Sequence, residues 1–201
     1  MKLKYTSALT IMLISLNFFI QAQDTPSNEQ QIVGALQAAP EDDREGATVL
    51  GYNASGKLIT LKKGTNSMIC IADNPKQEGF NSACYHKDLE PFMVRGRELK
   101  AQGKDHGEVF KIREQEAKDG KLKMPKEGAT LHVLSGPDGK YNPSSNTIDN
   151  VTLRYVIYIP WATSESTGLP IRPIVPGGPW IMDPGTHRAH IMISPPPSMQ
   201  K

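Results

Sequence analysis

The chain carries almost no surplus charge. Its 201 residues hold 23 Lys+Arg against 21 Asp+Glu, and two of the lysines, Lys2 and Lys4, lie in a stretch that reads as a leader. Without that leader the formal charge is zero. Binding to nucleic acid or to an anionic membrane surface needs clustered positive excess, so neither is expected as a partner. Nucleotide chemistry lacks its signatures too. There is no glycine-rich phosphate loop and no dinucleotide fingerprint, and Gly177 and Gly178 lie between prolines rather than opening a helix. A Gly-x-Ser-x-Gly elbow is missing, so hydrolysis by a serine triad is not supported, and no His-Glu-x-x-His pair occurs. No repeat of twenty to fifty residues exists to build a solenoid.

Apart from one segment, long apolar runs are absent as well. Lys2 and Lys4 precede an apolar run from Tyr5 to Ile20, and the small residue Ala22 follows. This is the layout of a secretory signal peptide rather than of a membrane span. No cysteine stands at the cleavage region to take a lipid. The expectation is a soluble product that begins near Gln23, secreted or periplasmic, with no membrane span in the mature protein.

Cysteine is scarce, and export decides how the two that exist are read. Cys70 and Cys84 are 14 positions apart, and an oxidising compartment favours joining them. Closing such a loop stabilises by roughly 3 kcal/mol in the chain-entropy model. The competing reading, Cys84 as a nucleophile beside His86, requires a lowered thiol pKa and an unpaired partner.

What the chain does have is glycine and proline, 17 and 16 residues, well above the usual share for its size, so loops are abundant. Residues 23–45 read as an N-terminal helix, Asn28 to about Ala38, and a solvated acidic connector. Residues 46–194 read as a single domain and 195–201 as a Pro-rich tail. Strands are expected from Ala47 to Tyr52 and from Lys57 to Lys62, turned by Asn53 to Gly56, and a third from Ser67 to Ala72. Dense charge from Lys87 to Lys126 with apolar positions at helical spacing predicts two helices. The first is capped by Asp88 and buries Leu89, Phe92, Met93 and Leu99; the second opens on an Asp105–Glu108 capping box and stops at Gly120. The charges of the second helix read as a solvated face.

Strands return from Ala129 to Leu134, from Val151 to Ile159 and from His187 to Ile193. The five-proline stretch from Gly168 to Pro184 is an ordered, irregular excursion in which Ile171, Ile174, Val175, Trp180, Ile181 and Met182 need burial. The fold class is therefore α+β: a mainly antiparallel sheet with a helical insert after the third strand and a loop-rich C-terminal segment.

Candidate chemistry is sparse. His187 and His190 have a His-x-x-His spacing, but on a strand they point to opposite faces and share a metal only through a bulge. The plainer reading buries His190 in the sheet and leaves His187 exposed beside Arg188. No metal or cofactor is expected. Trp180, among Gly177, Gly178, Pro179, Met182, Asp183 and Gly185, offers an amphipathic surface suited to a ligand or to packing.

The succession Gly64-Thr65-Asn66, Cys70, Asp73-Asn74-Pro75, Cys84-Tyr85-His86, Leu89-Glu90-Pro91-Phe92-Met93 and Arg95 resembles a family of secreted bacterial proteins with no assigned function. Gly185, Thr186 and Ala189 to Met192 resemble the same family's ending, so the similarity runs from about Gly46 to Ile193. The resemblance implies no catalytic residue. It points to His190, His86 and Glu90, with Asp73 near the cysteines, as candidate binding residues, and it sets His187 aside. The leading expectation is a non-catalytic domain that binds a small molecule or an envelope partner. The alternative is a metal-assisted or acid/base hydrolase in which His86, Glu90 and His190 converge within about 3 Å of one ligand position or through one water.

Overall fold

A computed structural model describes residues 26–196. The expected signal peptide and most of the expected tail lie outside the described residues. The chain opens with α1 (Asn28–Leu36) and the single turn α2 (Glu41–Arg44), followed by β1 (Thr48–Tyr52), β2 (Leu58–Lys62), β3 (Met68–Ile71) and β4 (Phe80–His86). A 3-10 turn (Lys87–Leu89) leads into α3 (Glu90–Ala101) and α4 (His106–Lys118). Then come β5 (Ala129–Gly136), a small hairpin of β6 (Lys140–Asn142) and β7 (Thr147–Asp149), β8 (Thr152–Tyr158), the short α5 (Ser164–Thr167), β9 (Trp180–Met182) and β10 (His190–Ile193).

All strands but the hairpin join one sheet in the order β2-β1-β3-β4-β5-β8-β10-β9, parallel at β1–β3 and antiparallel at every other pairing. The fold is α+β with a mostly antiparallel sheet and a helical insert after the early strands. Period-two alternation decides what each face buries. On one face Val49, Met68, Cys70, Cys84 and Leu134 pack under Ala35, Ala38 and Ala39 of the α1 segment. On the other, Tyr85, Leu131, Val156 and Tyr158 pack with Leu89 and Phe92. The N-terminal helix is thus part of the core rather than an appendage. Gln31 fastens it by bonding both backbone groups of Tyr52, and Gln37 does the same at Ile148.

Cys70 and Cys84 stand directly opposite one another in the β3–β4 ladder, with Cα atoms 4.0 Å apart and both side chains fully buried beneath α1. They form a close pair. Among the described residues no helix is long and apolar enough to cross a membrane.

Several local expectations change. β4 precedes the helical insert and was hidden because Asn81, Ser82 and Ala83 have weak strand preference; its pairings with β3 and β5 override that. His86, not Asp88, caps the first helical turn, through Nδ1 and the Asp88 N–H at 3.3 Å. The acidic connector winds into α2. Ile171, Ile174 and Val175 are not buried but 58%, 83% and 59% exposed. Interspersed prolines carry no N–H for a ladder, so this segment bows away from the sheet, and Ile181 in β9 is the buried one.

The last strand starts at His190 rather than His187. Residues before it turn sharply, with Asp183 and Gly185 at φ of 51° and 75°. That turn folds His187 inward, and it is fully buried rather than exposed.

Candidate functional site: a cationic cleft under the helical insert

α3 and α4 lie across the sheet with Phe92, Leu99 and Val109 pointing inward. The helices start and stop where local chemistry dictates. Pro91 occupies the first turn of α3, where its missing N–H costs nothing, and Gly103 at φ 81° ends the stretch. Asp105 and Glu108 close a reciprocal capping box at the start of α4. A bidentate Arg95–Glu116 contact ties the two helices together on the outside.

Between these helices and the sheet lies a cavity of about 250 Å³ whose polar lining is basic: Arg97, Lys100, His106, Arg113 and Arg188, with Tyr158. Three arginines reach it from α3, α4 and the turn before β10. Two of them are neutralised. Arg97 donates to Glu90 Oε1 at 3.0 Å and to the Tyr85 hydroxyl at 3.3 Å, and that hydroxyl donates to Glu90 Oε2 in a short contact. Burial first, and the Glu90 carboxylate second, push the Tyr85 hydroxyl well above its ordinary range. Arg188 is held by Asp183 at 2.7 Å.

Arg113 is different. It is 8% exposed and has no carboxylate within ion-pair distance among the described residues. Nη1 donates to the Phe92 carbonyl at 3.1 Å, the guanidinium carbon stands 3.8 Å over the Phe92 ring, and Nε is buried without a hydrogen-bond partner. Loss of water lowers its pKa to about 10, so it stays charged at neutral pH. Gly96 makes room for it, since a Cβ there would lie 2.9 Å from Nη1. A buried cation without a counter-ion carries a desolvation cost that an incoming anion would offset.

His187 packs beside this group, its ring centroid 5.0 Å from Phe110 and 5.9 Å from Phe92, with Nδ1 3.6 Å from Glu114 Oε2. Neither ring nitrogen has a hydrogen bond. Burial, then the Arg113 charge, lowers its pKa to about 4, so the ring is neutral. His190 faces Tyr158 with ring centroids 5.2 Å apart. Its Nδ1 lies 2.6 Å from the Arg188 carbonyl, which can only accept, so that nitrogen carries the proton.

The residues singled out from sequence divide. Glu90 and His190 flank the cleft, one through Arg97 and the other through Tyr158 and Arg188. His86 stands opposite Met68, and His190 opposite Tyr158, which puts the two imidazoles on opposite faces of the sheet. His86, Glu90 and His190 are therefore not brought to a common position. Among the described residues no group of three His, Cys, Asp or Glu side chains could hold a metal. Asp73 lines a separate cavity against α1, and Trp180 sits half-buried on the edge strand β9 opposite Met192.

Sequence reasoning missed Arg113, Arg97, Arg188 and Tyr158. One signal was present. Val109, Arg113 and Ala117 recur at four-residue steps, so Arg113 interrupts the apolar stripe of α4 rather than belonging to its wet face. No protein-family model matches the chain, and no curated protein or solved structure does either.

Proposed function

We propose that this protein is an exported, non-catalytic binding domain, stapled by a Cys70–Cys84 bridge, whose cleft beneath α3 and α4 takes a small anionic ligand. The observation that carries this reading is Arg113, a buried guanidinium with no anionic partner that lines a cavity. Its delocalised fork suits a carboxylate or a phosphate. The neutral Tyr158 hydroxyl, raised by burial, adds a donor that does not repel an anion. Phe92, Val109 and Leu131 supply apolar wall for the ligand's body. The small volume favours a metabolite-sized ligand over a protein segment.

The test is a thermal-shift and native mass-spectrometry panel on the mature chain, with acetate, benzoate and inorganic phosphate compared with chloride at equal ionic strength. An anion that binds the folded state raises stability by about 2.7 kcal/mol at a hundred times its dissociation constant. The expected result is a saturable rise in Tm for at least one of these anions, lost in Arg113→Gln. No response from any of them, or the same response in the variant, would overturn the reading.

A further inference from the structure

We propose a second binding site, for a small organic cation, in the cavity between α1 and the β6–β7 hairpin, with Asp73 as the counter-charge. This inference does not rest on the anion site. The cavity measures about 350 Å³, and Phe80, Tyr141 and Ile148 form its apolar wall. Glycines keep it open. A Cβ at Gly34 would lie 3.2 Å from the Phe80 ring, and one at Gly139 would lie 2.5 Å from Phe80 Cβ, so a side chain at either position would crowd the ring that lines the space.

The polar groups around it are mostly committed. Gln31 donates to the carbonyls of Pro26 and Tyr52 at 3.0 and 2.9 Å and accepts the Tyr52 N–H at 2.7 Å. Gln30 closes the α1 capping box by accepting from the Ser27 N–H. The Tyr141 hydroxyl donates to Asn146 at 2.8 Å. Asp73 takes the Asn81 N–H at 2.8 Å, yet no cation lies within ion-pair distance of it among the described residues, and it is the one charged side chain lining this cavity.

Burial raises the Asp73 carboxyl, and burial first, with the Asp73 charge second, raises the Tyr52 hydroxyl. A half-buried carboxylate without a cation, set beside two aromatic rings, is the combination that recognises an ammonium group, through charge and through the ring faces. A hard divalent ion is a poor occupant, since it demands six to eight oxygen ligands and Asp73 supplies the one carboxylate.

Calorimetric titration of the mature chain with butylammonium chloride and with tetramethylammonium chloride, against sodium chloride at equal ionic strength, tests the assignment. Asp73→Asn removes the charge while its amide oxygen still accepts from Asn81. Tyr141→Leu removes a ring on the hairpin, outside the main sheet. At least one organic cation should bind saturably, about tenfold more weakly in Asp73→Asn and several-fold more weakly in Tyr141→Leu, and unchanged in Arg113→Gln. Absence of binding by both cations, an equal response to sodium, or affinity untouched by either the Asp73 or the Tyr141 change would overturn it.

Discussion

Arg113 lines the cleft and His187 packs beside it, both buried with side-chain nitrogens that have no hydrogen-bond partner. Arg113 is buried without a counter-ion; since even a buried ion pair can be replaced by apolar side chains at no cost or with a gain of about 1–4 kcal/mol, an unpaired charge, which has only the desolvation cost, tolerates such a replacement at least as well. Arg113→Met is expected to unfold in urea at the same or a higher midpoint than wild type while losing its response to anions. A marked drop in midpoint would make Arg113 a structural strut. His187 is buried neutral, and its folded pKa of about 4 lies below the ordinary 6.5. The unfolded chain therefore binds the proton first as pH falls. The contribution is fully present above pH 6.5 and is lost progressively down to about pH 4, roughly 3 kcal/mol in all. His187→Phe should flatten the fall in stability across that window, measured by urea titration at each pH; an unchanged pH profile would contradict the neutral, buried ring.

At the scale of elements, the helical insert is where local signals and tertiary packing meet. Phe92 is 2% exposed and touches Tyr158, His187 and Arg113. Phe92→Ala should cost about 3–5 kcal/mol by denaturant unfolding, and a midpoint near that of wild type would show that this helix face does not carry the packing described. α4 was legible through its capping box and its closing glycine, because both are set within a few residues. Arg113 was not, because a charged residue on a mostly charged helix reads as solvated until Gly96 on the neighbouring helix opens a space for it. β4 was hidden for a related reason: a central strand with partners on both sides needs little intrinsic preference of its own.

Across the whole molecule, one sheet separates two chemistries. The basic cleft lies on the α3–α4 side, and the cavity that holds Asp73 lies against α1. The close cysteine pair lies on the α1 side, where Cys70 and Cys84 face each other across the β3–β4 ladder. In protein from an oxidising compartment, intact mass after alkylation should change only once the chain has been reduced. Two thiols that alkylate under denaturing conditions without reductant would refute the bridge. With the bridge confirmed, replacing both cysteines by alanine should lower stability by about 3 kcal/mol.

By itself the sequence determined what depends on neighbours in the chain: α1, both main helices, the first hairpin, the strong strands β5 and β8, and hence the α+β class. Periodicity, caps and turns are local, so they survive without coordinates. Only the tertiary structure decided that His86 and His190 lie on opposite faces, that the turn before β10 buries His187, and that the prolines of residues 168–178 keep Ile174 in water. It also decided that Arg97, Arg113 and Arg188, far apart in sequence, meet in one cavity. Burial and charge balance are properties of the assembled neighbours, and a buried cation without a partner is recognisable only when every nearby carboxylate can be seen to belong to another group.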